Sequence, residues 1–163
     1  MSYFKVINQN PRTLYGIIHY AKSERKNSLP PCADGLGVSP ETAFEEMDAV
    51  KRIHNQTEGR QYKHFMFSFD SGISLPHETL LEIGHKIGSY FSGEYQIVSY
   101  MHFDKRNTHI HYILNTVNVF TGQKFRITKR DFYNYKLYIN EILGNYDLSP
   151  LTLYDNDQND LLE

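Results

Sequence analysis

The sequence predicts an α+β fold built on a central antiparallel sheet, with helices on one face and polar groups on the other. Three segments alternate between apolar and polar residues, as strands with a single buried face do, at 61–70, 94–104 and 108–120. The last two are joined by only a few residues, which favours an antiparallel hairpin. Segments with apolar residues at helical spacing precede and follow these strands. We therefore expect helices to pack on the apolar face of the sheet.

The remaining elements are predicted from helix, strand and turn signals along the chain. They are a strand over 2–8, a helix over 11–26, a loop rich in Pro and Gly over 27–38, a helix from Ser39 to about 56, a helix over 76–91 and a final helix that starts at Thr128. Ser39 is the predicted N-cap of the second helix. The predicted apolar stripe of that helix consists of Phe44, Met47, Val50 and Ile53. Thr128 and Asp131 form a capping box for the final helix, which Gly144 closes.

Length and composition favour a single domain. The chain has 163 residues, and we predict one domain over 1–154 followed by a polar, disordered tail over 155–163. The single cysteine, Cys32, excludes an internal disulfide and fits a cytoplasmic protein. No stretch has the length and apolarity of a membrane span, so no membrane partner is expected. The net charge of −2 is mild evidence against a dedicated nucleic-acid binder, although basic residues gather in short islands.

Strand parity brings three histidines to one face of the predicted hairpin. His102 lies on its first strand, and His109 and His111 lie two residues apart on its second. Directly opposed residues of antiparallel strands point to the same face. His102 therefore opposes either His109 or His111, since a shift by one residue would mix the apolar and polar faces. The sequence thus predicts a cluster of three imidazoles.

Three imidazoles with an open position suit a divalent transition metal or a hydrated Mg²⁺ or Mn²⁺. Asp104 and Asn115 share the predicted face and could orient a histidine or touch a ligand. His64 and Ser68 join them if their strand is the neighbour of the hairpin. A lone histidine on a strand is usually solvated or hydrogen-bonded, so the metal prediction depends on the convergence of three.

A nucleophile for phosphoryl transfer is available on the first helix. Tyr15 and Tyr20 lie five residues apart in the sequence, about 140° around a helix, so they cannot both face one site squarely. Tyr20 is followed by cations that could hold a polyanionic strand. Hydrolysis would need only the metal and a base. A tyrosine on a helix is more often a core or surface residue than a nucleophile, so the residues alone leave both reactions open.

Three motifs, in order, resemble those of plasmid-mobilisation and conjugative-transfer relaxases. "HFDKRNTHIHYILNTVN" at 102–118 resembles the His-hydrophobic-His motif with its upstream histidine and aspartate. "HFMFSFD" at 64–70 resembles the second motif, and "IIHYAKSERK" at 17–26 resembles the first, with a tyrosine near the end of a helix. The resemblance extends over about residues 3–151. It implies the His-hydrophobic-His endonuclease fold, whose polar sheet face bears a metal.

The resemblance also implies a chemistry and its residues. Tyr20 would attack a scissile phosphate in single-stranded DNA, leaving a 5′-phosphotyrosyl link and a free 3′-hydroxyl. The implied ligands of Mg²⁺ or Mn²⁺ are His102, His109 and His111, with Asp104 and His64 orienting ligands or accepting a proton. The implied DNA-binding residues are Ser68, Lys22, Arg25, Lys26, Asn115, Lys105 and Arg106. The implied substrate is a transfer origin with a hairpin and a nick site, and accessory relaxosome proteins would be further partners.

Relaxases of this type are longer, so the chain is expected to be the N-terminal part of a larger protein. Other interpretations stay open. A rolling-circle replication initiator shares the fold but carries its tyrosine after the histidine pair, where Tyr133, Tyr135 and Tyr138 lie. A metal-dependent hydrolase of a small substrate would not need Tyr20. An inactive DNA-binding remnant could keep the fold, and His19 could replace Tyr20, since some related relaxases use a histidine.

Overall fold

The computed structural model describes residues 1–8, 13–23, 31–103 and 106–154, so the predicted tail over 155–163 lies outside it. The elements in chain order are β1 Tyr3–Val6, α1 Leu14–Ser23, β2 Cys32–Leu36, α2 Ala43–Ile53, β3 Tyr62–Ser68, α3 His77–Gly88, β4 Ile97–His102, β5 His109–Asn115 and α4 Lys129–Asn145. Short 3₁₀ turns at Pro40–Thr42 and Ser89–Phe91 adjoin α2 and α3. Among these helices, none is long and apolar enough to cross a bilayer.

The strands form one antiparallel sheet, which confirms the predicted α+β class. Its order is β1-β3-β5-β4-β2, and every neighbouring pair is antiparallel. β5, which carries the His-x-His pair, is the middle strand. Each of its residues therefore has neighbours on both sides, which allows side chains from three strands to meet on one face.

The apolar face of the sheet is covered by α3 and α4. Alternate residues of three strands pack with these helices into one core: Phe65, Phe67, Ile97, Met101, Ile110, Tyr112 and Leu114. Gly84 allows α3 to lie close to the sheet, because a Cβ there would come within 2.8 Å of the Ile110 side chain. The capping box predicted for α4 is confirmed, with both of its hydrogen bonds present.

Helices also lie on the polar face, which the sequence analysis did not expect. α1 and α2 form a second core with apolar residues of that face: Leu14, Ile17, Ile18, Ala21, Ala43, Met47, Val98, Tyr100 and Ile113. Val98 and Ile113 share the face of the histidines and have to be buried, which explains this cover. The β1 side of the face stays open. Tyr3, whose partner across the sheet is Ser68, is 41% exposed there.

Two predictions about local structure are wrong. The segment 27–38 is not all loop, because β2 pairs with β4 from Cys32 to Leu36. Its sequence lacks β-branched residues, and Gly35 is needed because a Cβ would overlap the carbonyl oxygen of Val38. The apolar stripe of α2 also differs. Ile53 is 78% exposed, whereas Lys51 is only 1% exposed and takes the buried position one turn after Met47.

The N-terminal end of α2 is also held differently from the prediction. Ser39 does not cap the helix through its side chain, because its hydroxyl donates to the Glu41 carboxylate. The Glu46 carboxylate instead accepts hydrogen bonds from the backbone N–H of Ser39 and from the Thr42 hydroxyl. A side chain inside the helix therefore reaches back to fix the segment that precedes it.

Candidate active site

Three histidines converge where β4 and β5 pair. The register places His102 opposite His109, one of the two arrangements that parity allows. The ring centroids are 5.1 Å apart for His102 and His109, 5.3 Å for His102 and His111, and 5.2 Å for His109 and His111. The predicted convergence of the imidazoles is confirmed. We call these three side chains the histidine cluster.

Backbone carbonyl groups orient two rings of the histidine cluster. His102 Nε2 lies 2.9 Å from the Ala21 carbonyl oxygen, and His109 Nδ1 lies 3.3 Å from that of Asn107. A carbonyl oxygen only accepts, so these two nitrogens carry the protons. In the neutral rings, the lone pairs are then on Nδ1 of His102 and Nε2 of His109. Metal-binding histidines are commonly held in this way by a hydrogen bond from the second nitrogen.

His111 links the cluster to its surroundings. Its Nδ1 lies 2.8 Å from Nε2 of His64, a residue that is 4% exposed. His64 lies on β3, which pairs with β5, so the predicted meeting of His64 with the histidines is confirmed. Tyr20 meets the His111 ring edge-on, with the two ring centroids 6.4 Å apart. His111 is therefore in contact with both an orienting imidazole and a tyrosine.

The histidine cluster suits a divalent metal ion by the type of its donor atoms. Imidazole nitrogen suits divalent transition metals. The rings of His102 and His109 are each oriented by a hydrogen bond from one nitrogen to a backbone carbonyl oxygen. Within the described ranges, no three His, Cys, Asp or Glu side chains are already arranged as a complete metal-ligand group. Ligation by the cluster therefore stays a prediction. Asp104, which parity assigns to this face, lies outside the described residues.

α1 sets Tyr20 beside the histidine cluster. Ala21 is fully buried against the sheet, and its carbonyl oxygen accepts the hydrogen bond from His102. Tyr20, one residue earlier, is 36% exposed, so its ring reaches the cluster from the helix and still meets solvent. Tyr15 instead packs edge-on against Phe44, with ring centroids 5.4 Å apart. Of the two tyrosines on α1, Tyr20 is the one in contact with the cluster.

The tyrosines of the last helix belong to the other side of the sheet. Tyr135 is 2% exposed in the core of the apolar face, and its hydroxyl donates to the Ile87 carbonyl oxygen. Burial raises the pKa of Tyr135 far above its ordinary value. Tyr138 also donates its hydroxyl to a carbonyl oxygen of α3, that of Lys86. These contacts do not favour the arrangement expected of a replication initiator.

Two residues predicted to contact DNA are buried. Ser68 is 1% exposed and lies opposite His109 in the sheet. Asn115 is completely buried; its Oδ1 accepts a hydrogen bond from Lys51 at 2.6 Å, and its amide donates to Gln96 at 2.9 Å. Because these polar atoms bind partners inside the fold, the structure gives Asn115 a structural role in place of the predicted DNA contact.

Lys51 is a buried cation that the sequence analysis missed. Its ammonium group donates to the Gln61 carbonyl oxygen at 2.7 Å as well as to Asn115. Desolvation, reinforced by the nearby charge of Lys124, lowers the pKa of Lys51 from 10.5 to about 8. Lys51 occurs in a basic pair, which usually indicates a solvated surface. Only its spacing of four residues from Met47 indicates the buried face.

The structure describes two of the five cations that were predicted to contact DNA. Lys22, at the end of α1, and Arg106, in the connection from β4 to β5, are both exposed. Arg25, Lys26 and Lys105 lie outside the described residues. The two described cations are therefore accessible to a ligand.

Comparison with known proteins relates the whole site to one family. A family profile described as "Relaxase: MobA/VirD2-like, nuclease domain" matches residues 20–148. "Protein rlx" of Staphylococcus aureus is 27% identical over 125 residues, which cover 76% of this chain and 37% of that protein. The "Group II intron-interrupted relaxase LtrB" of Lactococcus lactis subsp. cremoris is 36% identical over 63 residues, 38% of this chain and 11% of that protein. The chain thus spans little more than a third of the first relative's length.

A solved structure has the same fold. It is described as "Molecular Basis of Vancomycin Resistance Transfer in Staphylococcus aureus", and it matches with a TM-score of 0.66 over 95% of this chain and 99% of that chain. The sequence identity is 11%, so this likeness shows the fold alone. The family match, however, covers most of the chain and includes Tyr20, His64 and the histidine cluster. The chain therefore belongs to the MobA/VirD2-like relaxase family, whose nuclease domain it matches.

Proposed function

We propose that this chain nicks one DNA strand at a transfer origin, with Tyr20 as the nucleophile, for conjugative transfer or mobilisation. The family itself implies a DNA-nicking enzyme. The observation that carries the finer proposal is the edge-on contact between Tyr20 and His111, with ring centroids 6.4 Å apart. A tyrosine beside histidines that could hold a phosphate-activating ion would suit covalent catalysis.

The proposed step transfers a phosphoryl group from DNA to Tyr20. The phenolic oxygen forms a bond to the scissile phosphorus, and the bond from phosphorus to the 3′-oxygen of the upstream nucleotide breaks. Tyr20 loses one proton, and the leaving 3′-oxygen gains one. The products are a 5′-phosphotyrosyl link and a free 3′-hydroxyl. Because one phosphodiester replaces another, the same residues can catalyse rejoining of the strand.

His102, His109 and His111 are proposed to hold a divalent cation, Mg²⁺ or Mn²⁺. When bound, the ion would polarise the scissile phosphate and stabilise charge on its oxygens. His64 would orient His111 through the 2.8 Å contact between their ring nitrogens. Asp104 keeps its proposed role as a further orienting group or proton acceptor.

The proposed substrate is single-stranded DNA next to a hairpin. Support comes from the exposed cations Lys22 and Arg106, which phosphates can approach, and from the exposed ring of Tyr3 on the open side of the polar face. Accessory relaxosome proteins would bind the assembled complex. The chain covers 37% of the first relative.

Formation of a covalent adduct tests the proposal. The chain is incubated with Mn²⁺ and single-stranded oligonucleotides tiled across the DNA beside its gene, and products are separated on a denaturing gel. A protein–DNA adduct is expected from the wild type and from Tyr15→Phe, but not from Tyr20→Phe. Tyr15→Phe is the matched control because both tyrosines lie on α1 and Tyr15 contacts Phe44.

Each other outcome contradicts the proposal in a different way. An adduct that survives Tyr20→Phe but not His19→Ala would identify a histidine nucleophile. An adduct lost only when tyrosines of α4 are changed would indicate a replication initiator. Turnover without an adduct would indicate a hydrolase, and binding without turnover an inactive remnant.

A further inference from the structure

The open side of the polar face contains a cavity that the proposed reaction does not yet use. Its volume is about 430 Å³, within the range of sites that bind small ligands. The wall includes Tyr3, Ser68, Ser71, Arg106 and Asn107. No acidic side chain is among the wall residues in the described part of the chain. Asp70, which lies between two wall residues in the sequence, is paired with the terminal ammonium group of Met1.

The cavity borders the histidine cluster. Ser68 pairs with His109 across β3 and β5, and the Asn107 carbonyl oxygen accepts a hydrogen bond from the same histidine. Tyr20 approaches the cluster from the other side, because α1 packs over β4 and β5 whereas the cavity lies toward β1. Tyr20 and the cavity therefore flank the histidine cluster.

The wall of the cavity combines one aromatic face with positive charge. Tyr3 is 41% exposed, and any nucleic-acid base can stack on a tyrosine ring. Arg106 adds a guanidinium group that can bind a phosphate with two hydrogen bonds. The Lys5 ammonium group lies over one face of the Tyr3 ring, 5.5 Å from its centroid, so a base is expected to stack on the opposite face, beside a second cation. A ring joined to an anion, as in a nucleotide, matches this combination.

The geometry of phosphoryl transfer decides which nucleotide is expected there. The attacking and leaving oxygens lie roughly in line on opposite sides of the phosphorus. If Tyr20 attacks from the α1 side, the leaving 3′-oxygen points toward β1 and the cavity. We infer that the cavity binds the nucleotide immediately upstream of the nick, whose base stacks on Tyr3 and whose 5′-phosphate is held by Arg106. This inference rests on the proposed nicking function.

Binding of short labelled oligonucleotides tests the inference in the full chain. Once the nick is mapped from the adduct, one oligonucleotide ends with its 3′-hydroxyl at the nick and another begins there with a 5′-phosphate. Tyr3→Ala and Arg106→Ala are each expected to weaken binding of the upstream oligonucleotide about 10-fold in fluorescence anisotropy, as loss of one stacked base or phosphate contact does. Binding of the downstream oligonucleotide should change less than about twofold. Tyr154→Ala and Arg52→Ala are controls, because both residues are exposed and lie outside the cavity wall.

An abasic 3′-terminal nucleotide makes the test specific for stacking. With that oligonucleotide, Tyr3→Ala should cost no affinity, because the base that stacks is already absent. Equal losses for both oligonucleotides, or an unchanged loss with the abasic one, would overturn the inference while the Tyr20 adduct still supports the nicking function. If the wild type forms no adduct, the nicking function fails. Binding of a short oligothymidylate then tests the cavity separately. If Tyr3→Ala binds it as tightly as the wild type does, the proposed site is wrong.

Discussion

The two ends of β5 carry polar side chains on the same face of the sheet, but they differ in chemistry. At the start of the strand, His109 and His111 join His102 in a cluster that Tyr20 contacts. At its end, Asn115 is fully buried and binds Lys51. At the first end His109 is half-buried, while His102 and His111 are 7% and 4% exposed; at the second end the polar groups bind one another.

The difference arises from what covers each end. α2 extends over Asn115 and provides Lys51 and the Met47 carbonyl oxygen as partners. At the histidine end, the β1 side of the face stays open, and Tyr20 and the Ala21 carbonyl oxygen approach from α1. Alternation in a strand therefore predicts the face on which a side chain lies. The cover provided by the helices decides whether that side chain can meet a ligand or stabilises the fold.

The largest expected effect follows substitution of a histidine at the start of β5. His109→Ala should abolish metal-dependent nicking and weaken Mn²⁺ binding in calorimetry, because it removes one proposed ligand. Since His109 is half-buried, the free energy of unfolding should change by only about 1 kcal/mol or less. Nicking at the wild-type rate would refute the metal assignment.

Asn115→Ala should give the opposite result. Removal of its amide leaves buried partners such as the Lys51 ammonium group without their hydrogen bonds, and should lower the free energy of unfolding by about 2–4 kcal/mol. Urea unfolding measures this loss. The rate of adduct formation per folded molecule should stay at the wild-type value, and its selective loss would show that this end also belongs to the site.

His64→Ala should have an intermediate effect, because His64 acts on the cluster through His111. Loss of an orienting partner typically lowers metal affinity or activity by about 10- to 100-fold. Both Mn²⁺ affinity and the nicking rate should fall together, and His64→Gln should restore part of each, since its amide can still bind the His111 ring. A normal Mn²⁺ affinity in His64→Ala would exclude the positioning role.

A further expected effect is a pH dependence at the Asn115 end. The pKa of Lys51 is about 8 in the folded chain against 10.5 for an ordinary lysine, so the unfolded chain binds the extra proton between these values. The free energy of unfolding should therefore rise for the wild type, relative to Lys51→Met, as the pH increases from about 8 toward 10.5. Urea titrations of both chains over this range measure the difference, which would stay constant if Lys51 were not desolvated.

The histidine cluster could be predicted from sequence because alternation restricts a hairpin to registers that keep its faces apart. His102, His109 and His111 must then share a face whichever of those registers forms. The capping box of Thr128 and Asp131 is likewise a local pattern with one structural solution. Such features need no knowledge of distant contacts.

Other features depend on contacts between distant segments. β2 forms because its backbone packs against the loop that follows and pairs with β4, although its residues have little strand propensity. Lys51 points inward because Asn115, 64 residues later, accepts its hydrogen bond. Tyr3 could be assigned to the open part of the polar face only once β1 was known to be an edge strand. The partners in these pairings lie far apart in the sequence, so local patterns do not identify them.

The hydrogen bond from His102 to the Ala21 carbonyl oxygen connects the proposed cation site to the helix that carries Tyr20. A ring that ligates a cation becomes a more acidic donor, and charge-assisted hydrogen bonds are stronger than neutral ones. Cation loading should thus slow amide hydrogen exchange at the end of α1. If the bound cation thereby raises the affinity for DNA that orders this helix, the DNA should raise the cation affinity by the same factor, by thermodynamic linkage. Cofactor and substrate would then bind with positive cooperativity through a single backbone oxygen.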